Sequence, residues 1–268
     1  MVYMTGIASL ENSLHNPFAT KLGRDHSSYT AYRDNALVHP LAPDIAPAPV
    51  ADFVHDSFRT LVLNPRFSCV GAKSAVQRGS YRFGHYPALG SAEATAGLAY
   101  DLYAFIQEQP SFDSEFSSMI ATFSGAPVAS EEEFERLVWK QLQQLHDLDA
   151  PHHRWDPAVS GDPEDPAFSF SFAETGFFVV GLHAASSRFA RRFAWPTLVF
   201  NLHAQFEALR ASGRFERMQQ VIRQRDTALQ GNINPNLADF GVQSEARQYS
   251  GKPAGDAWRC PFMKRSGT

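Results

Sequence analysis

The chain has 268 residues, of which 44% are hydrophobic and 13% aromatic, with 22 phenylalanines. Such a chain can form one large domain or two small ones around a substantial core, and its formal net charge of -4 argues against a general nucleic-acid-binding protein. Two cysteines are too few for a disulfide framework. Neither a signal peptide nor an apolar run of about 20 residues is evident, so we expect a cytoplasmic protein that makes no membrane contact.

Residues 1–50 are predicted to be an irregular, extended N-terminal arm, and residues 51–268 the folded domain. Four prolines lie between residues 40 and 49, and apolar periodicity in the arm is weak. We expect an arm of this kind to pack across the surface or onto a second subunit, so a homodimer is one expected form. The rest of the chain has no internal repeat and no clear linker, which favours a single α+β domain.

Helical patterns alternate with loops over much of the chain. Ser91 and Ser130 stand at helix N-cap positions, and Glu133 completes a capping box with Ser130. Asn64-Pro65 and Pro110 mark helix ends. From apolar spacing and these signals, helices are predicted over residues 50–63, 91–109, 111–123, 131–148, 203–211 and 215–229.

The stretch from Phe168 to Phe200 predicts the central sheet. Phenylalanines and serines alternate strictly over residues 168–172, which is typical of a half-buried strand and predicts one over residues 168–173. After a break at residues 174–176, residues 177–182 are almost wholly apolar and read as a buried partner strand, and residues 197–200 read as a third. We therefore expect a central, mostly antiparallel sheet covered by helices.

His183 stands at the end of the buried strand and is the strongest candidate for a functional side chain. It reads either as a core histidine that is hydrogen-bonded at a strand end, or as a metal or heme ligand or a catalytic base. Three arginines follow it, of which Arg188 is the first choice and Arg192 the second for binding carboxylates in forked geometry. Heme propionates or an amino-acid carboxylate would suit them, and Arg188 is counted with His183 as a catalytic candidate.

Each of the two cysteines has two possible roles. Cys260 precedes a proline that fixes the local backbone, and Cys69 lies among small residues that let a flat ligand approach. Each is either a thiolate ligand for heme iron or a small buried hydrophobic residue. Standard signatures for nucleotides, zinc proteases and serine hydrolases are absent from the sequence.

Several long blocks of the chain resemble the YqcI/YcgG family. They include Phe67-Ser-Cys-Val-Gly-Ala-Lys-Ser-Ala, Phe177-Phe-Val-Val-Gly-Leu-His with the arginines after it, Gly231-Asn-Ile-Asn-Pro, Ser244-Glu-Ala, Gln248-Tyr-Ser-Gly and Trp258-Arg-Cys-Pro-Phe. The blocks occur in order over roughly residues 60–262. Ala184 stands where the pattern has proline, which makes the loop after His183 less rigid.

The resemblance implies a heme-dependent N-hydroxylase of a natural-product pathway, as in guanitoxin or D-cycloserine formation. It implies heme b, dioxygen or peroxide, an electron donor and a guanidino or amino group on a small amino-acid-like substrate. It does not identify the iron ligand, and we rank His183 first, Cys260 second and Cys69 third. Two alternatives stay open: a heme-binding or heme-sensing protein without turnover, and a relative that binds no heme.

Overall fold

The computed structural model describes residues 16–232 and 243–265. Those residues form seven strands and eight α-helices, with 3₁₀ turns at Gln109–Ser111 and Phe189–Arg191. The strands are β1 (Ala31–Arg33), β2 (Ala36–Val38), β3 (Tyr81–Tyr86), β4 (Ser118–Phe123), β5 (Phe170–Phe172), β6 (Thr175–Leu182) and β7 (Thr197–Leu202). The helices are α1 (Lys21–Asp25), α2 (Pro49–Leu63), α3 (Val70–Arg78), α4 (Ala92–Glu108), α5 (Glu131–Asp149), α6 (His203–Ala211), α7 (Phe215–Gln230) and α8 (Ala246–Tyr249).

Five strands form the central sheet in the order β3-β4-β7-β6-β5. Only the β3–β4 pair is parallel, and the other three pairs are antiparallel. β1 and β2 form a separate antiparallel hairpin. The prediction of a single α+β domain with a mostly antiparallel sheet is therefore confirmed.

Helices pack on both faces of the sheet. One face carries the larger core, which includes Phe177 and Val179 of β6 together with side chains of α4 and α5. On the other face Val180 and Leu182 of β6 pack toward α2 and α3. This division follows from strand geometry, because successive side chains of a strand point to opposite faces.

The predicted helix over residues 111–123 is wrong, because residues 118–123 form β4, an interior strand of the sheet. Phe116, Met119, Ile120 and Phe123 have helical spacing in the sequence. A short apolar run that is buried on all sides has no periodicity that separates strand from helix. All six residues of β4 are buried between β3 and β7, so its position in the sheet decides its conformation.

The predicted strand over residues 168–173 shortens to β5, and it is not half-buried. Ser169 and Ser171 are as deeply buried as the phenylalanines between which they lie. Ser171 Oγ accepts a hydrogen bond from the backbone N–H of Asp156 at 2.9 Å, so the loop before the strand covers this face. The turn to β6 falls at Ala173 and Glu174, both with positive φ, one residue earlier than predicted.

The described part of the N-terminal segment is more regular than predicted, since residues 16–50 contain α1 and the β1–β2 hairpin. Phe18 and Tyr29 are buried in the main core. Asp101 of α4 accepts hydrogen bonds from Ser27 Oγ at 2.6 Å and from the backbone N–H of Ser28 at 2.7 Å. These contacts fix the segment against α4. Residues 1–15 of the predicted arm lie outside the described residues.

The other predicted helices are confirmed, with ends that differ by at most one residue from the predicted ones. The strand predicted over residues 197–200 extends to Leu202 as β7. In the described part of the chain, no helix is long and apolar enough to cross a membrane.

Gly181 is the point at which β6 allows the closest approach of its neighbours. A Cβ atom at this position would lie 2.6 Å from Phe134 Cε1 and 2.9 Å from the carbonyl oxygen of Tyr249. We expect Gly181→Ala to lower the free energy of unfolding by about 1–3 kcal/mol, because the core must shift to accept the methyl group. Urea denaturation measures the change.

The matched control is Gly255→Ala, since a Cβ atom there meets nothing within 4 Å. We expect that variant to stay within about 0.5 kcal/mol of the parent protein, as surface substitutions do. Equal losses in the two variants would contradict the close packing around Gly181.

Candidate functional site

A cavity of about 310 Å³ lies between the second face of the sheet and helices α2, α3, α6 and α7. Its volume is at the lower end of the range of small-molecule sites, about 300–1,000 Å³. Alternate side chains of two neighbouring strands form its floor, because they share one face of the sheet. These floor residues are Phe178, Val180 and Leu182 of β6 with Val199 and Asn201 of β7.

The walls of the cavity are mostly apolar, with a few polar groups at its ends. Apolar side chains from the four helices include Phe58, Val62, Phe206, Phe215, Met218 and Ile222. The charged side chains among the described lining residues are Arg188, Arg191, Arg210, Arg223, Asp226 and Glu245. An apolar cavity with a small number of convergent polar groups is typical of a site for a small molecule or cofactor.

Cys69 lies on the cavity wall at the N-terminus of α3. Its Sγ accepts a hydrogen bond from the backbone N–H of Ala72 at 3.4 Å. Burial raises the pKa of the Cys69 thiol, while the N–H groups of Ala72 and Gly71 and the charge of Arg191 act in the opposite direction. A sulfur atom at a helix N-terminus is well placed for a thiolate, which metal binding would favour further.

His183 directly follows β6 but is not one of the described cavity-lining residues. Its ring is buried and stacks on Phe134 with 4.2 Å between the ring centroids. Neither ring nitrogen has a hydrogen-bond partner among the described residues. Burial lowers the pKa of His183 to about 4, so the ring is neutral near pH 7.

Cys260 lies apart from the cavity, beside the larger core on the opposite face of the sheet. It is partly buried, and its backbone N–H donates to Glu164 Oε1 at 3.3 Å. Burial raises the pKa of the Cys260 thiol to about 12, so this thiol is protonated near pH 7. The structure thus separates the three iron-ligand candidates, and only Cys69 lines the cavity.

Arg188 lines the cavity, but its guanidinium group is already engaged by the protein. Nη2 pairs with the carboxylate of Asp226, and Nη1 donates to the side chain of Asn232. Nη2 also donates to the backbone carbonyl of Asn232 at 3.1 Å, and Nε has no partner among the described residues. Arg188 therefore joins the loop after β6 to the C-terminal end of α7.

The other two arginines differ in where they point. Arg192 is exposed, donates to the carbonyl of Ser186 at 2.6 Å and lies over the ring of Phe189. It is not one of the described lining residues. Arg191 does line the cavity, and its Nη1 donates to the carbonyl oxygens of Gly181 and Tyr249 at 3.3 and 3.2 Å. The ranking from sequence had passed over Arg191.

The opposite end of the cavity carries a polar network that sequence reasoning missed. Ser169 Oγ donates to Glu245 Oε1 at 2.6 Å and lies 2.9 Å from Nδ1 of His203. Tyr249 Oη donates to the same Glu245 oxygen at 2.7 Å. Burial raises the pKa of Glu245 to about 7 and lowers the pKa of His203. Both residues line the cavity.

The donor set of the cavity fits an iron porphyrin in its chemistry. Heme iron needs one protein ligand, and Cys69 offers a soft sulfur donor on a wall of mostly apolar side chains. Arginine side chains in the cavity lining suit the propionates of a porphyrin. In the described ranges, no group of three or more histidine, cysteine or acidic side chains could hold a bare metal ion.

Comparison with known proteins gives one match. No curated protein and no solved structure matches the chain. The profile of the YqcI/YcgG family matches residues 58–263, which is about three quarters of the sequence and includes Cys69, His183, Arg191 and Glu245. The chain therefore belongs to the YqcI/YcgG family.

Proposed function

We propose that this protein is a heme-dependent oxygenase that N-hydroxylates a guanidino or amino group of a small amino-acid-like substrate. The observation that carries the proposal is the Cys69 thiol on the wall of a largely apolar cavity. A thiolate ligand increases electron density on heme iron and favours cleavage of the oxygen–oxygen bond. This choice of ligand reverses the order inferred from the sequence, in which His183 came first.

The overall reaction converts an N–H group to N–OH. With dioxygen, one oxygen atom enters the substrate and the other leaves as water, so the reaction consumes two electrons and two protons from an external electron donor. With hydrogen peroxide, one oxygen atom enters the substrate, water leaves and no donor is required. When bound, heme supplies the activation of either oxidant.

The side chains of this chain bind and orient the reactants. The floor of Phe178, Val180 and Leu182 excludes water from the substrate. The pairing of Arg188 with Asp226 and Asn232 holds the loop after β6 in place, so Arg188 acts in this proposal as a positioning residue. Both cysteines are free, as is usual in a reducing compartment, and we assign the reaction to the cytoplasm.

Cys69→Ser tests the iron ligand. Serine can still accept the hydrogen bond from Ala72 at the start of α3, so we expect the variant to fold. Its hydroxyl is a poor iron ligand, and we expect the variant to lose bound heme or its thiolate-type carbonyl spectrum. The absorption spectrum of the reconstituted protein measures this result.

Two matched variants serve as controls. Cys260→Ser removes the thiol that lies outside the cavity, and His183→Leu replaces a buried ring whose nitrogens have no partner among the described residues. We expect both variants to keep the heme content and Soret position of the parent protein. Loss of the heme spectrum in His183→Leu, with Cys69→Ser unchanged, would transfer the ligand role to His183.

Substrate-dependent oxygen use separates an oxygenase from a heme sensor. We expect the heme-loaded protein, given an electron donor, to consume dioxygen only when a guanidino or amino compound such as L-arginine is added. The product should be heavier than the substrate by one oxygen atom in a mass spectrum. Heme binding without turnover under these conditions would favour the sensing function.

A further inference from the structure

Two groups of opposite charge line the cavity without an ion-pair partner among the described residues. They are Glu245, just before α8, and Arg191, in the 3₁₀ turn after β6. Both side chains are half-buried, and an unpaired charge becomes more costly as it is removed from water. A pair of unpaired charges in one cavity therefore indicates a ligand that supplies both partners.

The carboxylate of Glu245 is held by one oxygen atom and leaves the other available. Ser169 and Tyr249 both donate their hydroxyls to Oε1, at 2.6 and 2.7 Å. Oε2 accepts no hydrogen bond from a described residue. The nearby charge of Arg210 favours the ionised carboxylate, but Arg210 itself pairs with Glu207 and lies over the ring of Phe215.

Asp226 gives the contrast within the same cavity. It also lines the cavity, and its carboxylate forms an ion pair with Arg188. The protein thus neutralises, with its own arginine, one of the two carboxylates among the described lining residues. Burial raises the pKa of the other, Glu245, to about 7, so about half of its carboxyl groups are ionised near pH 7, and a bound cation would favour the ionised form.

Arg191, at the other end of the cavity, is a cation that has no carboxylate partner among the described residues. Its Nη1 donates to two backbone carbonyls, of Gly181 and Tyr249, and no carboxylate of the described residues pairs with it. Burial lowers the pKa of Arg191 to about 10, so the side chain still carries its charge near pH 7. Gly251, which has positive φ, leaves room for this guanidinium group, since a Cβ atom there would lie 2.7 Å from Arg191 Cδ.

The spacing of the two groups follows from their contacts with β6. Arg191 is held at the carbonyl of Gly181, and the Tyr249 hydroxyl that donates to Glu245 lies 3.0 Å from the carbonyl oxygen of Phe177. Four residues along a strand separate these carbonyls by about 13 Å. An extended arginine molecule with a hydrogen bond at each end spans a similar distance between its two hydrogen-bond partners.

We propose that the cavity binds its substrate lengthwise, with Arg191 receiving the α-carboxylate and Glu245 receiving a terminal guanidinium or ammonium group. The inference rests on the proposed function for the class of substrate, and it adds which residue binds each end. Glu245 is then the residue that selects a cationic side chain over a neutral one of the same shape.

Isothermal titration calorimetry of the purified protein with three ligands tests the contacts of Arg191 and Glu245 separately. L-Arginine has both charged ends, L-citrulline has a neutral urea in place of the guanidinium, and agmatine lacks the carboxylate. We expect L-arginine to bind more tightly than either of the others by a factor of ten or more. A hydrogen bond to a charged group contributes about 1.5–3 kcal/mol, which is a factor of about 10–150 in affinity.

Glu245→Gln is the decisive variant. The amide oxygen can still accept from Ser169 and Tyr249, so we expect the fold to be retained. The amide NH₂ replaces the free carboxylate oxygen with a donor, which repels a cation. We expect affinity for L-arginine and agmatine to fall at least tenfold, while affinity for L-citrulline changes less than threefold.

Arg191→Gln tests the other end with the same three ligands. We expect weaker binding of L-arginine and L-citrulline, which carry the carboxylate, and little change for agmatine. Glu216→Gln is the matched control, because Glu216 is exposed in the first turn of α7. It should bind all three ligands as the parent protein does.

Equal affinity of the parent protein for L-arginine and L-citrulline would overturn the role of Glu245. The same conclusion would follow if Glu245→Gln weakened all three ligands equally, or if none of the three bound at millimolar concentration. The absorption spectrum measures the heme content of the same protein in a separate experiment. A protein without heme that still discriminates L-arginine from L-citrulline would refute the oxygenase and retain this binding mode.

Discussion

The burial of β6 on both of its faces is the constraint on which the rest of the structure depends. Phe177 and Val179 contribute to the larger core against α4 and α5. Phe178, Val180 and Leu182 point the other way and form the floor of the cavity. Helices α2, α3, α6 and α7 border this second face without filling it. One strand thus supplies both the main hydrophobic contact of the domain and the surface on which a ligand would lie.

Backbone groups of β6 also position the charged ends of the cavity. The carbonyl of Gly181 accepts from Arg191, and the carbonyl of Phe177 lies 3.0 Å from the hydroxyl of Tyr249. Tyr249 contacts both ends, through its backbone carbonyl with Arg191 and through its hydroxyl with Glu245. Because these polar groups are fixed by a buried strand, the cavity is organised before any ligand arrives.

The sequence was informative wherever a local pattern carried the information. Helix caps at Ser91 and Ser130 are observed as predicted, since capping is a contact between near neighbours. β4 was missed because burial on all sides removes periodicity. The serine face of β5 was misjudged, since its cover comes from distant parts of the chain, Asp156 and Glu245.

The candidate site was predictable only in part, because the sequence shows local patterns and not tertiary contacts. The small residues around Cys69 and the arginines that follow His183 drew attention to these side chains in the sequence, and Cys69 and Arg188 do line the cavity. Which residues face a cavity depends on tertiary packing that spacing does not encode. Glu245 lies in a block that was matched to the family, but its role depends on contacts with Ser169 and Tyr249.

The central claim is that the cavity holds heme next to a cationic amino-acid-like substrate. Titration of L-arginine into the heme-reconstituted protein, followed by the Soret band, tests it most directly. We expect a Soret band with about one heme per chain and a saturable shift of that band by L-arginine but not by L-citrulline at the same concentration. Absence of a Soret band after reconstitution, or a band that L-arginine leaves unchanged at millimolar concentration, would contradict the claim.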